Sequence, residues 1–168
     1  MKSVSDDALS DRLDAFDLKM LRLLQDEGRL PIVDLAEQVG LSATPTLRRL
    51  RRLEREGVIT GYGARLDRKR AGLSLAVFLQ LKIDGHHAQN AALLQTHLVR
   101  MHEVRNCHIV SGDADLIAEV VVRDLAAYEA FLMEKLLKLR MIKEIRSLIS
   151  LRALKVDAAL GLPADPPS

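Results

Sequence analysis

The chain has 168 residues, 48% apolar and 29% charged, with a net charge of +2, an ordinary balance for a soluble protein with room for one large core or two small ones. No apolar run approaches the ~20 residues of a membrane span, and the first dozen residues, MKSVSDDALSDR, lack the apolar centre of a signal peptide. The single cysteine excludes an intrachain disulfide and suits a reducing cytoplasm.

In chain order, residues 1–12 are polar and are expected to form a flexible tail. A first helix is expected over Asp14–Glu27, with Phe16, Met20, Leu21 and Leu24 on one face and Gly28 past its end. Ile32, Leu35, Ala36 and Val39 then follow the i, i+3, i+4, i+7 spacing of a short amphipathic helix. Pro31 leaves its start weakly specified, and Gly40 stops it. Ser42 is placed to cap the next helix, and Pro45 sits in its first turn, where a missing N–H does least harm.

That next helix, running to about Glu56, carries five arginines within eight residues. A helical wheel puts Leu47, Leu50 and Leu53 with Ala43 on one side. Arg48, Arg52 and Arg55 lie opposite, flanked by Thr44, Arg49 and Arg51. A solvated basic face is the commoner fate of an isolated arginine run. Here the short preceding helix, the glycine turn and the caps point instead to a helix-turn-helix that reads double-stranded DNA in the major groove. The candidate DNA-binding residues are Ser42, Thr44, Thr46, Arg48, Arg49, Arg51, Arg52 and Arg55. Charge distribution agrees, since residues 43–70 carry nine Lys/Arg against three Asp/Glu while residues 71–168 carry eleven of each.

Val58–Leu66 (VITGYGARL) is β-rich and is expected to leave the head as a strand, with the charged residues 67–72 as a hinge. From Leu73 the period changes. Leu73, Leu75, Val77, Leu79, Leu81 and Ile83 alternate along a strand. A helix at about Ala88–Met101 follows, then strands Val104–Ser111 and Leu116–Val122 joined by a tight Gly112-Asp113 turn. Asp124 caps a helix over Leu125–Leu139, and Ile142–Val156 is the last strand. The fold class is α+β. A three-helix (winged) helix-turn-helix domain over residues 13–66 precedes a ferredoxin-like βαββαβ domain over residues 73–156. Residues 157–168, ending in GLPADPPS, are expected to be a disordered tail. Ala76, Phe78, Ile117, Val121, Leu148 and Leu154 place apolar side chains on the sheet's second face, which implies burial against another copy of the chain.

Three segments, LDAFDLKMLRLLQDEGR, VGLSATPTLRRLRRLEREGVITGY and CHIVSGDADL followed by LAAYEAF, resemble the Lrp/AsnC (leucine-responsive, feast/famine) transcriptional regulators. The similarity covers about Leu13 to Lys155. It implies a cytoplasmic, nucleoid-associated regulator that forms homodimers, assembles further towards octamers and answers to an amino-acid effector. The family's effector site lies between dimers, around the loop that here reads Ser111, Gly112, Asp113, Ala114 and Asp115. Asp115 would receive the ammonium and turn N–H groups the carboxylate, with an apolar wall from residues such as Leu125 and Leu148. Many relatives carry aromatics where this chain has Ala114 and Leu116, so a different selectivity is expected.

His86, His87, His97, His102 and His108 lack metal-site spacing, and Cys107 reads as a packed thiol. Neither a phosphate loop nor a catalytic constellation is present, so neither an enzyme nor a cofactor is expected. The alternative reading is an architectural, DNA-wrapping protein with little effector dependence, marked by a weak specificity ratio and a steep salt slope.

Overall fold

A computed structural model describes residues 13–84 and 88–163. The expected N-terminal tail, His86, His87 and residues 164–168 lie outside them. The chain divides into two units: one runs to Arg65 and resumes at Lys155, and the other is Leu66–Leu154.

In the first unit, α1 (Ala15–Asp26) opens on a pair of aspartates. The Asp14 carboxylate accepts the Asp17 amide at 3.0 Å, and the Asp17 carboxylate accepts the Asp14 amide at 3.1 Å. This reciprocal box satisfies two of the donors that a helix start leaves open. The second helix, α2 (Ile32–Val39), has no side-chain cap at Pro31 and ends on Gly40 in the left-handed region, φ 84°, a conformation that costs glycine no Cβ clash. Next comes α3 (Ala43–Arg55). Ser42 stands at its N-cap, but its hydroxyl makes no capping bond. Instead the Thr46 hydroxyl donates to the Ser42 carbonyl at 2.9 Å. Met20, Leu21, Leu35, Val39 and Leu53 form the core. Phe16, expected among them, is 40% exposed.

One expectation for this unit fails. Val58–Leu66 forms no strand. Val58 and Ile59 pack on the helical core, but a strand needs a ladder partner, and the described residues of the head contain none. Residues 158–163 of the tail have no regular structure and lie against the head. Leu162 packs on the helical core, and the Gln25 side chain accepts from the Leu160 amide at 2.6 Å and donates to its carbonyl at 3.3 Å. Arg22 donates to the Pro163 carbonyl. A groove of about 490 Å³ lies among α1, the segment after Ile59 and this returning tail.

The second unit begins with a turn where a hinge was expected. The Ala71 amide donates to Asp67 O at 2.9 Å and the Leu73 amide to Arg68 O at 2.7 Å, with Gly72 at φ 79°. This turn delays the first strand, β1 (Leu75–Ile83), by two residues. The order continues α4 (Ala88–Arg100), β2 (Val104–Ile109), β3 (Leu116–Val122), α5 (Leu125–Phe131) and β4 (Ile142–Ile149). Beyond Phe131 the chain loosens into a π-helical turn over Leu132–Leu136 instead of continuing as α-helix. The sheet is antiparallel in the order β2-β3-β1-β4, which is the ferredoxin-like plan.

Val77, Leu79 and Leu81 from β1 and Leu116, Ala118, Val120 and Val122 from β3 meet Leu94, Leu98, Tyr128, Phe131 and Leu136 of the helical layer. Of the predicted odd positions, Val77, Leu79 and Leu81 are fully buried and Leu75 and Ile83 partly so, while Leu73 lies ahead of the strand and is exposed. The strand β4 stops at Ile149, opposite Val77 and two residues short of the start of β1. Leu154, expected on the second face, lies past that end and is 85% exposed. Register places Ala76, Phe78, Ile117, Val121 and Leu148 on the second face together. Glu119 shares that face, held by Arg68 at 2.8 Å and by the Asn106 amide at 2.7 Å.

Candidate nucleic-acid interface and effector loop

The arginines of α3 separate into two sets. Arg48, Arg51 and Arg55 are exposed, as are Ser42 and Thr44, and Thr44, Arg48, Arg51 and Arg55 follow i, i+4, i+7, i+11 along one stripe. No ion pair engages these three arginines among the described residues.

Arg49, Arg52 and Thr46 do not belong to that stripe. Arg49 Nη1 lies 2.6 Å from Asp14 and 3.0 Å from Asp17, with its guanidinium 5.5 Å from the centre of the Phe16 ring, a cation–π geometry. Arg52 Nη2 donates to Asp17, while its Nε is buried without a hydrogen-bond partner and 3.8 Å from Glu56. The side chains of Asp17 and Thr46 are fully buried. Burial alone would raise the Asp14 pKa, but the Asp17 amide and the Arg49 guanidinium outweigh it and leave the carboxyl below its usual range. For Arg49 burial works the other way, and the two carboxylates still raise its pKa.

The wheel misplaced Arg49 and Arg52 because it scores apolarity, and the partners that draw them inward lie 32 to 35 residues earlier. The missed residues are Asp14 and Asp17. Their signal was the D-x-x-D spacing before the first apolar run, a carboxylate form of the capping box.

At the other candidate site, β2 and β3 close at Ile109 and Leu116, so Val110–Asp115 is a six-residue loop and not a two-residue turn. Ser111, Gly112, Asp113 and Asp115 are exposed and Ala114 is half-buried. Asp115 is already engaged. Its Oδ2 accepts the Ile83 amide at 2.8 Å, its amide donates to Leu81 O at 3.0 Å, and its carbonyl accepts from Val110 at 3.1 Å. These bonds fasten the loop to the end of β1, beside the register shift between Lys82 and Ile83.

Within one chain, Leu125 and Leu148 do not line this loop. Leu125 follows the far end of β3 from Leu116, roughly 20 Å away at ~3.3 Å per residue. Leu148 pairs with Phe78 near the end of the edge strand β4, on the second face. Both are exposed.

Residues 13–60 match a winged helix-turn-helix DNA-binding domain and residues 76–160 the Lrp/AsnC ligand binding domain. The chain belongs to the Lrp/AsnC family. It is 44% identical over 147 residues to the Bkd operon transcriptional regulator of Pseudomonas aeruginosa, covering 88% of this chain and 96% of that one. It is 37% identical over 143 residues to the leucine-responsive regulatory protein of Escherichia coli K12, covering 85% and 87%. A transcriptional regulator from Neisseria meningitidis, solved with L-methionine, superposes with a TM-score of 0.84 at 30% identity, covering 88% of this chain and 96% of that one. The Lrp/AsnC assignment makes the protein a transcriptional regulator with a DNA-binding head and a ligand-binding domain. The family consists of regulators and not enzymes. No helix among the described residues is long and apolar enough to cross a membrane.

Proposed function

We propose that this Lrp/AsnC protein binds specific duplex sequences through Ser42, Thr44, Arg48, Arg51 and Arg55, under the control of an amino-acid effector. The observation that carries the reading is the exposed stripe of Thr44, Arg48, Arg51 and Arg55, on a helix whose other two central arginines face inward. Three guanidinium groups along one stripe can hold phosphates and read guanine edges bidentately. The apolar second face of the sheet pairs two copies of the chain, which assemble further, and the two recognition helices then read half-sites about one helical turn, roughly 34 Å, apart or a multiple of it.

The effector binds at Ser111–Asp115, where Asp115 Oδ1 and the Asp113 carboxylate are available for an ammonium. Its apolar wall comes from a neighbouring copy, because Leu125 and Leu148 of the same chain are out of reach. An apolar amino acid is favoured by the leucine-responsive name of one relative and the L-methionine bound to another.

Arg48→Ala tests the DNA reading. It should weaken operator binding and, if Arg48 contacts a guanine, lose about 1–3 kcal/mol of discrimination at one base pair. Unchanged binding across a salt titration would remove Arg48 from the interface. Asp115→Asn tests the effector site, because the asparagine oxygen still accepts the Ile83 amide while the charge is gone. The variant should fold and bind DNA as wild type does, and should lose the response to whichever amino acid raises the wild-type melting temperature. A wild type indifferent to every amino acid would favour the architectural reading.

A further inference from the structure

The geometry points to Asp17 as a positioning residue that sets the balance between specific and non-specific DNA binding, by withholding Arg52 from the phosphate-facing row. The inference deepens the DNA-binding reading and rests on it. At 3.6 residues per turn, Arg52 lies only about 40° around α3 from Arg48, so rotation alone would let it join Arg48, Arg51 and Arg55. Its guanidinium instead turns inward to Asp17, whose carboxylate is fully buried and receives three donors: the Asp14 amide, Arg49 Nη1 and Arg52 Nη2. Arg49 keeps Asp14 as a second partner at 2.6 Å. Among the described residues Arg52 has only Glu56 besides, at 3.8 Å on its own helix. Asp17 therefore decides where Arg52 points.

The consequence follows from counterion release. Each arginine that reaches a phosphate makes the logarithm of the binding constant fall more steeply with salt, by about 0.9 per contact on B-DNA. Such contacts raise affinity for every sequence alike, so a fourth free guanidinium dilutes whatever discrimination the base-reading side chains supply. The same carboxylate fixes the rotation of α3 about its axis, because two of its arginines converge on it from successive turns.

Four full-length variants test this, with salt titrations on operator and on random duplex, and with thermal melts as the control for folding. Arg48→Gln should flatten the salt slope by about 0.9. Arg52→Gln should leave it at the wild-type value, since Arg52 faces Asp17. Asp17→Asn removes the charge and, with its one oxygen kept by Arg49, turns an NH2 donor toward Arg52 where Oδ2 accepted it, which frees Arg52; the slope should steepen by about 0.9 and the ratio of operator to random affinity should fall at least several-fold. Adding Arg52→Gln to Asp17→Asn should return the slope to wild type, which a merely structural role for Asp17 would not do. The inference is overturned if Arg52→Gln flattens the slope as much as Arg48→Gln, or if a folded Asp17→Asn has the wild-type slope and ratio. Should Asp17→Asn not fold, the comparison of Arg52→Gln with Arg48→Gln decides alone. A wild type that binds no duplex would overturn the DNA-binding reading itself, and this assignment with it.

Discussion

The two units solve the burial problem in opposite ways. In the second unit the described core is built from apolar side chains, and the buried carboxylate of Glu119 lies on the other face of the sheet beside Arg68. In the helical head a carboxylate and a threonine hydroxyl are fully buried among few apolar residues. An apolar core tolerates small shifts, because contact between hydrocarbon surfaces is non-directional. A carboxylate between two guanidinium groups does not, because its stabilisation depends on donor geometry and removing one partner strands the rest. The head sacrifices apolar area for a fixed helix orientation, which suits a surface that must register on DNA. The sheet unit keeps its area and leaves its second face partly apolar, which suits assembly.

The largest test of that contrast is truncation of the cores. Leu53 and Leu79 are both 0% exposed, so Leu53→Ala and Leu79→Ala should each cost about 2–5 kcal/mol. Calorimetry should show the first lowering only the transition of the head and the second only that of the sheet unit. A single transition moved equally by both would mean the units do not melt separately.

Breaking the buried ion cluster comes next. Asp17→Ala leaves two guanidinium groups without their shared partner. Loss of a buried partner costs about 3–5 kcal/mol, and here the arginines' partial exposure should bring that down to the order of 2 kcal/mol. Far-UV melts should show the loss in the head, with near-wild-type association of the sheet units by sedimentation.

Acid should show how much of the head's stability rests on charge at the start of α1. The Asp14 pKa is lowered in the folded head, so its contribution is present above the unfolded carboxylate value and is lost as pH falls through the folded one. Asp14→Asn should therefore lower the head transition at neutral pH and match wild type once the pH has fallen below the folded carboxyl's range. An equal deficit at both pH values would show that the effect is one of packing and not of charge.

The smallest effect concerns the returning tail. Gln25→Ala removes both bonds to Leu160 at an exposed site, and should cost about 0.5–1.5 kcal/mol. Hydrogen exchange should quicken at Leu160 and along the last turn of α1, with no change in β1–β4. Unchanged exchange at Leu160 would show that Leu162 and the Arg22–Pro163 bond hold the tail without Gln25.

Much of this molecule is determined by local sequence. Apolar spacing decided where α1, α2 and α3 lie, Gly40 ended α2, and the odd positions Val77, Leu79 and Leu81 decided which face of β1 is buried. Each depends on residues within one or two turns, or on the two-residue period of a strand, so the sequence carries it directly. The outward stripe of α3 was legible in the same way, but not its membership.

Tertiary structure decided what depends on distant partners. Arg49 and Arg52 face inward because α1 delivers Asp14 and Asp17 against them. Val58–Leu66 is no strand because nothing among the described residues of the head pairs with it, and β4 ends at Ile149, two residues short of the start of β1. Asp115 staples β1 because the loop returns to the Ile83 amide. Directional bonds between residues far apart in the chain leave no periodic trace, so only the folded arrangement could reveal that two of five arginines are held away from the surface their spacing assigned them.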